Sequence, residues 1–334
     1  MSVFAAATGV GSWPGSTPRE AAEIVIGELH RLPHLVELPD RGVGADLIGR
    51  AGGLLVDIAI DTVTRGYRIA ARPGAVMRRA RSLLDEDIDA LEEAWEKAGG
   101  GDCVVKVQAP GPITLAAQLE LANGHRAITD AGAVRDLTAS LAEGVSRHRA
   151  EVARRLSTTV VVQFDEPLLA VALAGRLTGV TALSTVHPVD ETRFISLLDE
   201  CVAAVGGEVM LHSCAAHLPW KALRRSTISA VSLDVDALNA DDLDGLGEFV
   251  DSGRTVVLGV VPALAPARPP SVEELAAAAV AVTDRLGFAR AVLRDRIGIS
   301  PACGLAGASE AWARSAIGLA QRVAEVMASE PESV

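Results

Sequence analysis

Short runs of apolar and β-branched residues recur along the chain. They are separated by longer stretches in which apolar positions return every three to four residues. The first pattern suits strands covered on both faces, and the second suits amphipathic helices. Strands are expected at Val3–Gly11, His34–Leu38, Cys103–Ala109, Thr159–Phe164, Glu208–His212, Ile228–Asp234, Thr255–Val260 and Arg296–Ser300. Leu137–Arg155 reads as one long helix. Thr17-Pro18-Arg19-Glu20 and Ser271-Val272-Glu273-Glu274 have the shape of capping boxes. Strands alternating with helices imply an α/β fold with a parallel sheet, and eight is the number that closes a (β/α)8 TIM barrel. An open doubly wound sheet is the competing architecture, but no G-x-G-x-x-G follows the first strand and no Walker A loop occurs. Arg41–Asp102, between the second and third strands, is expected to be a mostly helical insert capping one barrel end, and Pro262–Pro270 a stiff loop. The pattern carries no internal repeat, so one domain over 1–330 is expected, with a polar tail at 331–334.

Composition narrows the function classes. The chain has 334 residues, 49% of them hydrophobic, and a mean hydropathy of +0.29, which excludes a disordered polymer. Its 31 basic and 43 acidic residues leave a net charge of −12. No phosphate-neutralising surface is supplied, so neither nucleic acid nor an anionic membrane is expected as a partner. The longest apolar run, Leu275 to Val282, is far short of the roughly 20 residues of a membrane-spanning helix. No basic segment precedes the apolar N-terminal stretch, so no signal peptide is expected. Four cysteines are too sparse for a disulfide framework. A cytoplasmic location is expected, where thiols are buried or bind metal.

In a barrel, reactive groups gather at the C-terminal ends of strands. Here the strand ends run into Gly11-Ser12-Trp13-Pro14, Asp165-Glu166-Pro167, His212-Ser213-Cys214, Asp234 with Asp236, and Pro301-Ala302-Cys303-Gly304. A His-x-Cys pair on a strand puts both side chains on one face, because strand side chains repeat every two residues. Imidazole and thiolate are ligands that zinc prefers. Cys303 could add a second thiolate and Asp234 a carboxylate. The same residues also read as buried core thiols and a satisfied core histidine. Asp165 and Glu166 suit either a substrate ammonium and general-base chemistry or a helix cap. The Gly11-Ser12 segment either offers amides to a carboxylate or merely turns the chain. Cys103 reads as core, Cys201 as a helix residue away from the strand ends, and Trp95 and Trp312 as packing. His217 is either a third ligand or a helix-start residue.

Taken together, these segments resemble the C-terminal catalytic barrel of cobalamin-independent methionine synthase, in order and over nearly the whole chain. Gly11-Ser12-Trp13-Pro14, Gly111-Pro112-Ile113-Thr114, Gln163-Phe164-Asp165-Glu166-Pro167, His212-Ser213-Cys214 and Pro301-Ala302-Cys303-Gly304-Leu305 each match a motif of that family. The resemblance implies Zn2+ held by His212, Cys214, Cys303 and an acid, here Asp234 or, failing it, Asp236. It implies methyl transfer to a small thiol, homocysteine above all, to give methionine. Asp165 would hold the amino group, with Glu37 or Asp40 as a second acid, and Gly11 and Ser12 would meet the carboxylate. Two departures concern the methyl donor. The family's second, N-terminal barrel is missing from this chain, and its D-(Ile/Val)-H-S-P segment is replaced by Gly259-Val260-Val261-Pro262-Ala263. The donor is then a methyltetrahydrofolate or a corrinoid protein. The rival readings are transfer to another small thiol and a zinc-binding barrel that serves as a scaffold without turnover.

Overall fold

The computed structural model describes residues 2–101, 103–179, 185–329 and 331–332. Nine strands occur among them: β1 (Ala59–Val63), β2 (Gly66–Ala70), β3 (Val105–Pro110), β4 (Leu119–Glu120), β5 (Val160–Asp165), β6 (Val209–Ser213), β7 (Ala230–Asp234), β8 (Thr255–Val261) and β9 (Ile297–Pro301). Six of them form one parallel sheet in the order β3-β5-β6-β7-β8-β9. Each strand is followed by helix before the next begins, as parallel pairing of successive strands requires. The first two expected strands depart from the reading above, because both join the fold through isolated parallel bridges. Ala7 bridges Ile299, His34 bridges Lys106, and Ser12 bridges Glu37. Residues 2–8 therefore lie along the β9 edge, with Thr8 N donating to Ile299 O at 3.0 Å and Ile299 N to Ala6 O at 3.1 Å, while Trp13 N donates to Glu37 O at 2.8 Å and Glu37 N to Gly11 O at 3.1 Å. Residues 31–38 lie along the β3 edge, with Lys106 N donating to Pro33 O at 2.8 Å and Leu35 N to Lys106 O at 2.9 Å. Gly9, Gly11 and Pro33 interrupt these segments. At Gly9 a side chain would overlap the buried His34 ring, and Pro33 has no amide to donate.

Both faces of the sheet are covered, which explains why the strands read as nearly unbroken apolar runs. On β5, Val160, Val162 and Phe164 pack toward the helices. Val161 points the other way and joins Phe4, Ala6, Leu32, Met210, Ala230 and Val257 in a separate apolar cluster.

The insert is less helical than expected. Helices Leu47–Leu54 and Ala75–Lys97 enclose the β1–β2 hairpin, and β4 extends the hairpin into a three-stranded sheet. The turn before Gly66, which has φ +134°, sits between two β-branched or aromatic runs and was the available signal. Asp102, the last residue of the insert, lies outside the described residues.

Ser271 forms the expected capping box, its Oγ accepting from Glu274 N at 3.2 Å while Glu274 Oε2 accepts from Ser271 N at 2.8 Å. Thr17 does not: its side chain makes no cap bond, and helix Pro18–Glu28 starts on proline alone. The expected helix at Leu137–Arg155 extends over Ala131–Leu156, capped by Asp130. Trp95 and Trp312 are packing residues, with Nε1 bonded to Leu156 O at 3.1 Å and to Pro262 O at 3.0 Å.

Gly298 on β9 marks where the N-terminal segment seats, since a Cβ there would come within 2.1 Å of Phe4 O. Gly298→Ala is expected to cost about 1–3 kcal/mol by pushing that segment off β9. A lowered urea midpoint together with faster amide exchange at Thr8 would show it, and an unchanged midpoint would contradict the seating.

A candidate metal centre beside an acidic cavity

Along each central strand, the column of residues opposite the helices changes from apolar to polar toward the C-terminal end. On β5 it runs Val161, Gln163, Asp165, on β6 Met210, His212, and on β7 Ala230, Ser232, Asp234. Register places Asp165 beside His212 and His212 beside Ser232. The His212 ring therefore meets a hydroxyl, with Nδ1 lying 3.1 Å from Ser232 Oγ. With Nδ1–H donated to that oxygen, the buried Nε2 presents a lone pair, and it has no hydrogen-bond partner. A buried polar atom without a partner is costly and calls for a ligand.

Cys214 continues the β6 column and Cys303 follows β9. Their sulfurs are 3.2 Å apart, and the ligand atoms of His212, Cys214 and Cys303 all lie within 4.8 Å of one another. The Cys214 thiol and the His212 ring bring Cys303 down to about 4, while the same contact and burial push Cys214 up. One imidazole nitrogen and two cysteine sulfurs at this spacing are a donor set chemically suited to a soft cation such as zinc. Asp234 is not part of this cluster. Its Oδ1 accepts the Asp236 amide at 3.0 Å, and its half-buried carboxyl is raised by burial and feels the charges of Asp236, Cys303 and His212.

These three side chains stand on the wall of a cavity of about 300 Å³. Ser12, Glu37 and Asp165 line it, and Ala45 and Leu47 of the insert border it. Gly304 makes room for Ser12, whose Oγ would be 2.0 Å from any Cβ at that position. Gly11, at φ +147°, packs against the Gln108 amide. Asp165 and Glu37 are each 6% exposed. Burial pushes both carboxyls up, and the Glu37 charge raises Asp165 further. Asp40 is not among the lining residues; it is exposed and accepts the Gly15 amide at 3.2 Å.

Beneath the acids lies a buried polar layer that sequence reasoning missed. Gln163 Nε2 donates to Asp165 Oδ1 and to Val10 O, both at 2.7 Å. Lys106 Nζ donates to Gln163 Oε1 at 2.7 Å. Gln108 Nε2 donates to Leu35 O at 2.7 Å, and Arg50 Nε lies 3.7 Å from Glu37 Oε1. The signal was present in Val105-Lys106-Val107-Gln108, where polar residues alternate inside a strand buried throughout.

The acidic pair divides its roles. Asp165 faces the cavity, whereas Glu166 accepts from Ile113 N and Thr114 N at 2.8 Å and from Thr114 Oγ1 at 2.6 Å. Glu166 thus caps helix Pro112–Gln118, joining the Asp165-Glu166-Pro167 and Gly111-Pro112-Ile113-Thr114 segments. Burial raises its carboxyl to about 7, with those three bonds opposing. His217 neither joins the cluster nor starts a helix. It sits exposed in a turn at φ +62°, three residues before helix Trp220–Arg225. Cys201 is buried in helix Glu191–Val205, and Cys103 lies just before β3 and is only partly buried.

Residues 4–326 match the family described as the catalytic domain of cobalamin-independent synthase. Among solved structures, a B12-independent methionine synthase from Shewanella sp. W3-18-1, in complex with selenomethionine, aligns with a TM-score of 0.61 at 14% identity, covering 99% of this chain and 100% of that one. Two structures of GH113 β-1,4-mannanase align at 12% and 11% identity, covering 100% and 98% of this chain and 100% and 99% of theirs, with TM-scores of only 0.42 and 0.41. No curated protein sequence matches. No helix among the described residues is long and apolar enough to cross a membrane.

His34, wedged beside Lys106, is brought down to about 3, first by burial and then by the Lys106 charge. A histidine depressed in the folded state lends stability above its unfolded value of 6.5, and that stability is lost as the pH falls toward the folded value. His34 alone should remove about 2 kcal/mol between pH 6.5 and about pH 5. Unfolding free energies measured across that range should fall, with a shallower slope in His34→Gln. An identical slope in the variant would contradict the assignment.

Proposed function

The chain belongs to the cobalamin-independent synthase catalytic-domain family, and from that premise we propose that it is a zinc-dependent S-methyltransferase acting on a small amino-acid thiol, homocysteine to methionine. The observation that carries this reading is the buried, partnerless Nε2 of His212 beside two cysteine sulfurs, on the wall of a cavity that also holds two buried acids. The architecture proposed with it is a closed (β/α)8 barrel forming one domain over 1–330. The hydrogen bonds that lay residues 2–8 along β9 and residues 31–38 along β3 support that closure, as does the apolar cluster that draws on both segments.

His212, Cys214 and Cys303 would hold the zinc, and Asp234 is our candidate for a fourth donor, with Asp236 behind it. Zinc bound there would supply the Lewis acidity that keeps a substrate sulfur deprotonated near neutral pH. The remaining work belongs to the chain. Ser232 holds the plane of the His212 ring through its contact with Nδ1. Asp165, with Glu37 beside it, receives the substrate ammonium, which gives the desolvated Asp165 carboxylate, held by the neutral Gln163 amide, a countercharge. Ser12 and Gly11 are assigned to the substrate carboxylate. Asp40, bonded to the Gly15 amide, shapes the adjoining turn. All four cysteines are free, which suits a reducing compartment such as the cytoplasm.

β8 ends in Gly259-Val260-Val261 and offers no titratable group. That feature favours a second reading, a zinc-holding barrel without turnover, and leaves both a folate and a methylcorrinoid as donors to be assayed.

Protein purified without added metal should carry about one zinc per chain, and Cys303→Ser should lose it. Zinc-loaded wild-type protein should then methylate homocysteine from methyltetrahydrofolate or methylcobalamin. Zinc missing from the wild type would overturn the proposal, whereas zinc present with neither donor active would select the scaffold reading.

A further inference from the structure

Lys106 is fully buried near the start of β3, yet it forms no ion pair among the described residues. Its Nζ donates to two neutral acceptors, Gln163 Oε1 at 2.7 Å and Val10 O at 3.2 Å. Burying an ammonium costs several kcal/mol, and a methionine of similar volume would occupy the same space without that penalty. The lysine is therefore a poor choice for packing alone.

Its contacts show what it controls. The Gln163 amide can face Asp165 with either end, and only its nitrogen end can donate to a carboxylate. Because Lys106 has donors and no acceptor, it claims Oε1. The amide nitrogen is thereby turned to Val10 O and Asp165 Oδ1. Val10 itself lines the cavity, so the whole arrangement lies directly under the floor where a ligand would sit. Asp165 and Glu37 are the two acids whose charges act on Lys106, and their pull opposes the burial that brings it down to about 7. The His34 ring beside it remains neutral. The buried cation thus partly offsets Asp165 and Glu37, and Arg50 Nε, 3.7 Å from Glu37 Oε1, adds a second positive charge beside Glu37.

We propose that Lys106 is a positioning residue that determines specificity: through Gln163 it fixes the hydrogen bond holding Asp165, and with it the cavity's preference for thiols that carry an ammonium group. The inference rests on the amino-acid-thiol reading above.

The test is calorimetric binding of L-methionine and of its desamino analogue, 4-(methylsulfanyl)butanoate, to zinc-loaded wild type, Lys106→Met and Gln163→Met. Wild type should favour L-methionine by about tenfold or more. Both variants should lose that preference while keeping zinc content and binding of the desamino ligand. Gln163→Met carries the test by itself if Lys106→Met does not fold. Retention of the preference in a folded variant would overturn the inference, as would an equal loss of both ligands, which marks a merely structural role. No preference in the wild type would overturn the amino-acid reading beneath it, a result distinct from either.

Discussion

Charge buried at the end of an apolar sheet is the constraint on which the rest of this structure depends. Lys106, Asp165, Glu37 and His212 are all at most 6% exposed, and isolated ionised groups at that depth would destabilise the fold by several kcal/mol each. The strands meet the constraint by layering. Val161, Met210, Ala230 and Val257 form a dry apolar layer. Above them Gln163, Gln108 and Ser232 supply hydrogen bonds, and only above these do the acids and metal-type ligands face the cavity. Glu166 turns away and is satisfied by a helix N-terminus, where orphan amides and the helix dipole favour a carboxylate. Among the buried atoms left without a partner is His212 Nε2, beside two sulfurs, and it is there that the chemistry is assigned.

Much of this was legible in the residues, for a definite reason. Strand alternation has a period of two, so His212 and Cys214 had to share a face, and the apolar runs marked a sheet covered on both sides. The strand ends therefore pointed to the cavity before any coordinates did, and His212, Cys214, Cys303, Asp165, Glu37 and Ser12 are found together there or lining it. What stayed hidden depends on contacts between distant segments. Whether Asp165 or Glu166 faces the cavity is decided by the approach of helix Pro112–Gln118, some fifty residues earlier in the chain. The Lys106–Gln163 contact joins strands 57 residues apart. The β1–β2 hairpin was lost inside a segment whose long flanking helices dominated the pattern, and Thr17 had capping-box spacing without the geometry.

Family membership and site chemistry converge without being the same argument. The family match covers residues 4–326, while the most informative structural likeness, at 14% identity, speaks to fold alone. The reading of zinc and a thiol comes from an orphaned nitrogen, two cysteine sulfurs beside it and an acidic pocket. The β8 end departs from the resemblance, and the departure concerns the donor side of the proposed reaction. The acceptor side is supported independently by the ligand cluster and by the acids behind it.

The central claim is that His212, Cys214 and Cys303 hold a zinc to which an incoming thiol binds directly. X-ray absorption at the zinc edge, before and after addition of homocysteine, tests it most directly. The account predicts two sulfur ligands and nitrogen or oxygen donors in the resting protein, with a third sulfur once homocysteine is added. A sulfur count that stays at two would contradict it.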